Sequence, residues 1–139
     1  MTFLFVDTAG WTACADAADP VHGTACRARD RWLEREGLLL TTDYVVDETL
    51  TLLRFRLGLS ASENWWHTMA ASRRVQRELI HEERAERARA IFFRYRDKDF
   101  SFTDCTSFAL MREMQVRQAL TTDTHFRQAG FEMLPARPR

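Results

Sequence analysis

The chain lacks most of the devices that announce a function class. It has three cysteines, Cys14, Cys26 and Cys105, an odd number with no C-x-x-C pair. That spacing fits neither a disulfide framework nor a structural zinc site, and leaves reduced thiols packed as small apolar side chains. Lysine is nearly absent: of 20 basic residues only Lys98 is not arginine, and 20 acidic residues cancel them. Without net positive charge, composition gives no argument for a polyanionic partner. No apolar run approaches the roughly 20 residues that a membrane-spanning helix needs. Phe3 to Val6 is interrupted by Asp7 and has no basic flank, so a signal peptide is not expected. The expectation is a cytoplasmic protein with no membrane partner. Phosphate-binding glycine loops and the G-x-S-x-G nucleophile elbow are missing. No repeat, low-complexity tract or Pro/Gly/Ser-rich linker divides residues 1–139, so one domain is expected, with Pro135 to Arg139 frayed.

What is present is a globular pattern, with 139 residues, 45% hydrophobic and 29% charged. Short apolar runs at Phe3–Val6 (FLFV), Leu38–Thr42 (LLLTT) and Ala119–Thr122 (ALTT) lack clean alternation, as parallel strands covered on both faces do. Weaker strands are expected at Arg74–Ile80 and Glu132–Leu134. Helical spacing runs from Val21 to Glu36, and from Asp43, read as an N-cap, to Leu57, where Gly58 marks a stop. A short helix bearing Trp65, Trp66 and Met69 would be capped by Ser60 or Ser62. Glu82–Arg96 has acids first and arginine last, as the helix dipole favours. Thr103 opens a helix to about Gln115, and Asp123 caps a last short one ended by Gly130. Strands alternating with helices predict an α/β fold: a three-layer α/β/α sandwich around a central, mostly parallel sheet.

Four acids fall at informative places. In open α/β sheets ligands bind beyond the carboxyl ends of the strands, where strand order reverses. Asp7 follows the first strand and Asp123 follows ALTT. Glu48 lies in the second turn of the helix leaving LLLTT, and Asp104 in the first turn of the Thr103 helix. Asp47 adjoins Glu48 but points about 100° away around the helix, which favours Glu48. Asp97 and Asp99 lie in the loop ahead of Asp104, within reach of the same edge. Each acid alone is also a plausible cap or solvated residue, so their joint placement carries the weight. Two carboxylates about 5 Å apart repel by roughly 3 kcal/mol at an effective dielectric near 20. A cluster of four needs a divalent cation, raised pKa values or basic partners. An all-oxygen set without His or Cys suits Mg²⁺ or Mn²⁺ rather than zinc.

These residues resemble the PIN domain, and in particular its VapC-type toxins. The likeness runs through FLFVDTAGW (Phe3–Trp11), TTDYVVDETLTLL (Thr41–Leu53), DFSFTDCTSFALM (Asp99–Met111) and ALTTDTHFRQAGFEML (Ala119–Leu134). Each motif is moderately specific, and the four in order span nearly the whole chain. The resemblance implies a PIN-like α/β/α fold with Asp7, Glu48, Asp104 and Asp123 as catalytic and metal-binding residues around Mg²⁺ or Mn²⁺. It further implies endoribonuclease action on single-stranded RNA, a homodimer, and inhibition by a small cognate antitoxin protein. Water activated near the cation, oriented by Glu48 or Asp123, would attack the phosphodiester in line. Thr8, Thr103 and Thr122 adjoin these acids as candidate hydrogen-bond donors.

Rival readings are weaker. A dehalogenase-type phosphatase needs a second Asp where Ala9 stands. The H-E-x-x-H zinc motif that begins at His81-Glu82 fails at Ala85. His125 lies two residues beyond Asp123, so a His-based ribonuclease stays open, although a lone helix-borne His is more often a surface or packing residue. The alternative from another class is a catalytically silent PIN module that only binds protein or RNA. The aromatic bulk of Trp65, Trp66, Phe92 and Phe93, with Met69, reads as core, or as a groove for an antitoxin helix or a dimer face.

Overall fold

The structure is a computed structural model that describes residues 2–136; of the end expected to fray, Pro135 to Arg139, residues 137–139 lie outside them. Five strands form one sheet: β1 (Phe3–Val6), β2 (Leu38–Thr42), β3 (Val75–Glu78), β4 (Gln118–Leu120) and β5 (Glu132–Leu134). The order is β3-β2-β1-β4-β5 and every pair is parallel. Parallel neighbours need crossovers. α1 (Thr8–Ala15) and α2 (His22–Glu34) join β1 to β2, and α3 (Asp43–Leu57) with α4 (Leu59–Ala71) joins β2 to β3. α5 (Glu82–Arg94) and α6 (Phe102–Glu113) lead to β4, and α7 (His125–Gln128) leads to β5. The path steps from β1 towards β3, then crosses back to β4 and β5. Right-handed crossovers therefore put α1–α4 on one face and α5–α7 on the other. The expected α/β/α sandwich is what is found.

Both faces of the sheet are packed. Leu4, Val6 and Leu39 are buried with Trp11, Val45 and Met69. Trp11 packs edge-on against Trp65, and its indole N–H donates to Thr41 Oγ1, whose hydroxyl donates to the Val6 carbonyl. Across the sheet, Phe108 of α6 meets Phe100, Phe126 and Phe131, and Phe126 reaches Phe5. Cys105 to Met111 are all buried, so α6 is the apolar pillar of that layer.

Several local expectations are corrected. α1 was not anticipated: TAGWTACA is apolar or small all round, so no polar stripe marks it as a surface helix. Thr42, not Asp43, caps α3, its Oγ1 accepting from the Val45 N–H, while Asp43 accepts from the Ile80 N–H and ties α3 to the exit of β3. Neither Ser60 nor Ser62 caps α4, which follows Gly58 at φ 98°; Ser62 instead donates to the Leu50 carbonyl. α6 starts at Phe102 with Ser101 as cap, not at Thr103, because Asp104 closes a reciprocal capping box with Ser101. α2 and α5 end at Glu34 and Arg94, short of Glu36 and Arg96. β4 stops at Leu120, so Asp123 is three residues beyond the strand rather than directly after it. α7 takes Thr124 as its cap residue, although Asp123 Oδ1 still accepts from the His125 N–H.

Gly10 fixes how closely α1 lies on the sheet. A Cβ there would stand 2.0 Å from the Leu120 carbonyl oxygen and 3.0 Å from Val6 Cγ1. Backbone cannot give way as a flexible side chain does, and overpacking costs about 1–3 kcal/mol or more. Gly10→Ala is therefore expected to lower the unfolding free energy by at least that much, seen as a lower urea midpoint; an unchanged midpoint would mean that α1 sits further from β4.

Candidate active site: an acid-lined cleft at the switch point

β1 and β4 are neighbours whose onward connections run in opposite directions, which places the strand-order reversal at their carboxyl ends. A cleft of about 260 Å³ opens there, lined by Asp7, Asp19, Glu48, Asp104 and Asp123, together with Thr8, Thr12, Thr103, Ser107 and Thr122. All four acids read from the sequence line it. Asp47 lines the separate α3/α4 groove. Asp97 pairs with Lys98, and neither Asp97 nor Asp99 lines the cleft.

Asp7 is the most constrained of the four. It caps α1, with Oδ1 accepting from the Gly10 N–H at 2.8 Å and Oδ2 from the Thr121 hydroxyl at 2.7 Å. Thr121 Oγ1 in turn accepts from the Asp123 N–H at 2.9 Å, so one hydroxyl joins the ends of β1 and β4. Burial pushes the Asp7 carboxyl up to about 7 from its ordinary 3.8, with Asp123 and Asp104 adding to the rise and the two hydrogen bonds opposing it.

Asp104 sits at the start of α6, where the Phe102–Glu113 run turns its apolar residues into the core and leaves the first turn at the cleft. Its Oδ2 accepts from the Ser101 N–H at 3.1 Å and lies 3.1 Å from His125 Nδ1. Burial raises its pKa as well, opposed by the Ser101 hydrogen bond and His125. His125 Nδ1 is also 3.3 Å from Asp123 Oδ1, so the imidazole bridges two of the acids. This is where the bland reading of His125 as a surface or packing residue fails. Its ring also packs edge-on to Phe100, which fixes its direction.

Glu48 projects from α3 and is exposed at the cleft rim, without the hydrogen-bonded hold on Asp7 or Asp104. Thr8, Thr103 and Thr122 line the cleft, but the hydroxyl that bonds an acid is Thr121. Thr8 Oγ1 takes the Thr49 hydroxyl instead, and the Thr103 carbonyl accepts from Thr106 and Ser107.

The donor set fits a hard divalent cation. Asp104, Asp123 and His125 each offer an atom within 4.8 Å of the others, and Asp7 adds a fourth group beside them. Thr12 Oγ1 is buried at the same cleft with no hydrogen-bond partner among the described residues. A buried hydroxyl without a partner is costly unless water or a ligand meets it. Carboxylate and hydroxyl oxygens with a single imidazole suit Mg²⁺ or Mn²⁺ better than a soft ion.

The fold and cleft together define a parallel α/β protein with a cluster of carboxylates at its topological switch point. Residues 5–132 match the PIN domain, and the chain belongs to that family. The 23S rRNA-specific endonuclease VapC20 of Mycobacterium tuberculosis is 36% identical over 132 residues in both strain CDC 1551 / Oshkosh and strain H37Rv. Each alignment covers 92% of this chain and 95% of the relative. The crystal structure of M. tuberculosis VapC20, described as a sarcin-ricin loop cleaving toxin, superposes with a TM-score of 0.85 at 34% identity, covering 97% of this chain and 99% of that one. FitAcB from Neisseria gonorrhoeae, at 14% identity and a TM-score of 0.67 over 94% of this chain and 95% of that one, shares the fold.

Proposed function

We propose that the chain is a divalent-cation-dependent endoribonuclease and the toxin of a toxin–antitoxin pair, acting as one PIN domain. The observation that carries this reading is the convergence of Asp7, Glu48, Asp104 and Asp123 on one cleft. A catalytically silent module has no use for buried, mutually repelling carboxylates, which cost stability unless a cation answers them. The VapC20 relatives carry rRNA in their name, which makes a single-stranded loop of ribosomal RNA the first substrate to test.

Asp7, Asp104 and Asp123 would hold Mg²⁺ or Mn²⁺. The bound cation supplies charge neutralisation at the scissile phosphate and lowers the pKa of water. The chain's own residues do the positioning. Thr121 and the α1 N-terminus fix Asp7, the Ser101 box fixes Asp104, and His125 spans Asp104 and Asp123. Glu48, solvated and unencumbered, orients water for in-line attack. Its place at the rim supports that role over a ligand role.

Partners follow from the same reading. A small antitoxin and a second copy of the chain are the proposed protein partners. Exposed Phe92 and Phe93 on α5 give such contacts apolar area, whereas Met69 is core and Trp65 and Trp66 are half-buried. No helix among the described residues is long and apolar enough to cross a membrane.

Cleavage is expected with Mg²⁺ or Mn²⁺ and to be lost in EDTA, leaving 3′-hydroxyl and 5′-phosphate ends, as attack by water requires. End-group analysis of the cleaved RNA decides. Cyclic phosphate formed at full rate in EDTA would mean attack by the ribose 2′-hydroxyl and would overturn the mechanism.

A further inference from the structure

Arg56 is the one basic side chain lining the acid cleft among the described residues, facing five acids there. It has no ion pair among the described residues. An arginine set among carboxylates would ordinarily be spent on one of them; this one is left available. Glu48, Leu52 and Arg56 recur at four-residue spacing, so they form one stripe of α3 along the cleft wall. Phe55 lies three residues after Leu52, on the solvent edge of the same stripe and about 100° around the helix from Arg56, and is 83% exposed. Arg54, which lines the α3/α4 groove, precedes it, and the helix ends one residue after Arg56 at the exposed Leu57.

Arginine in the last helical turn complements the dipole, but that role needs no cleft and no bare phenyl ring. A solvated aromatic between two arginines, one of them at the mouth of an acid site, has the chemistry of a single-stranded nucleic-acid platform. The guanidinium takes a phosphate, and the ring takes the face of an unstacked base. The cleft itself repels RNA through its acids, so a cation beyond the metal is needed to admit the strand. The unpaired guanidinium of Arg56 at the mouth of the site is what argues for a phosphate-bearing strand as the occupant.

On the reading that the cleft cleaves RNA, we propose that the carboxyl-terminal end of α3 is its substrate platform. Arg56 holds a backbone phosphate next to the scissile one, and Phe55 stacks a base splayed out of a single-stranded RNA. The arrangement favours loops over duplex, because a paired base cannot present its face to Phe55.

The test uses the full chain carrying Asp104→Asn, to hold RNA uncut, and a fluorescent single-stranded RNA oligonucleotide as probe. Phe55→Ala is expected to weaken binding about tenfold to a hundredfold, with Phe55→Trp restoring it. Arg56→Ala is expected to weaken binding and to reduce the salt-dependence slope by about one, with Arg56→Lys recovering the slope. In the cleaving background, Phe55→Ala raises KM and leaves kcat nearly unchanged, since the ring touches no reacting atom. Both side chains are exposed, so folding is not at risk, and sedimentation checks oligomeric state. Wild-type cleavage with Phe55→Ala and Arg56→Ala indistinguishable from their parent overturns this inference alone. A Phe55→Ala change in subunit association with RNA affinity unchanged makes the tip a protein contact and also overturns it. A wild-type chain that neither binds nor cuts RNA overturns the functional reading with it.

Discussion

Asp104→Asn is expected to lower RNA cleavage roughly a thousandfold while leaving the protein folded. Removing a charged group from the cation site forfeits several kcal/mol of transition-state stabilisation, and each 1.36 kcal/mol is a factor of ten in rate. Asparagine is the informative replacement because Asp104 has two tasks. Its Oδ2 accepts from the Ser101 N–H, closing the capping box of α6, and an amide oxygen can continue to do so. Alanine would remove the charge and the return half of the capping box together, at a cost of about 1 kcal/mol for that hydrogen bond alone. Asp104→Asn thus separates chemistry from folding. Single-turnover cleavage in Mg²⁺ measures the first and a urea transition the second. A rate within a few-fold of wild type would show that Asp104 serves only the helix, and the cation reading would fail.

Much of the sheet was legible because its strands are short apolar runs whose ends carry punctuation. β1, β2 and β5 fall where FLFV, LLLTT and EML stand, and Gly58 ends α3 at a positive φ that glycine favours. The four acids could be read because each lies at or near an element end, and order along a parallel sheet puts such ends on one edge. What could not be read are relations across space. Thr121 reads as strand in ALTT, yet its hydroxyl is committed to Asp7, 114 residues away. His125 reads as a lone helix residue, since nothing local says that α6 begins opposite it. α1 was invisible for a different reason: a helix buried on nearly all sides has no amphipathic period to detect, and Gly10, a poor helix former, is required by the β4 backbone rather than by α1 itself. The capping residues moved by one or two positions for a similar cause. Asp43 is an excellent N-cap by type, but the Ile80 N–H claims its carboxylate, and Thr42 serves instead.

Asp7→Asn is expected to abolish cleavage and at the same time to stabilise the metal-free protein above neutral pH. Burial lifts this carboxyl from 3.8 to about 7, so between those values the folded chain holds a proton that the unfolded chain has released. Stability must therefore fall as pH rises through that window and level off above it, by about 4 kcal/mol at 1.36 kcal/mol for each pKa unit. Asparagine is neutral throughout and escapes the loss. Its carbonyl can keep the Gly10 N–H, and its amide can donate to Thr121 Oγ1 once that hydroxyl rotates. The variant and wild type should thus be about equally stable near pH 4 and diverge towards pH 8, with the variant the more stable. Mg²⁺ reverses the order for wild type, because a cation beside Asp7 favours its ionised form and removes the proton-linked penalty. Urea midpoints of both chains across this pH range, in EDTA and in saturating Mg²⁺, read the whole relation. A variant less stable than wild type at high pH in EDTA would mean that Asp7 is ionised and paired there without any metal, and the link between its burial and the cation would be lost. Agreement would show why the site is retained at a cost to the fold: the charge that weakens the apo protein is the one that holds the cation.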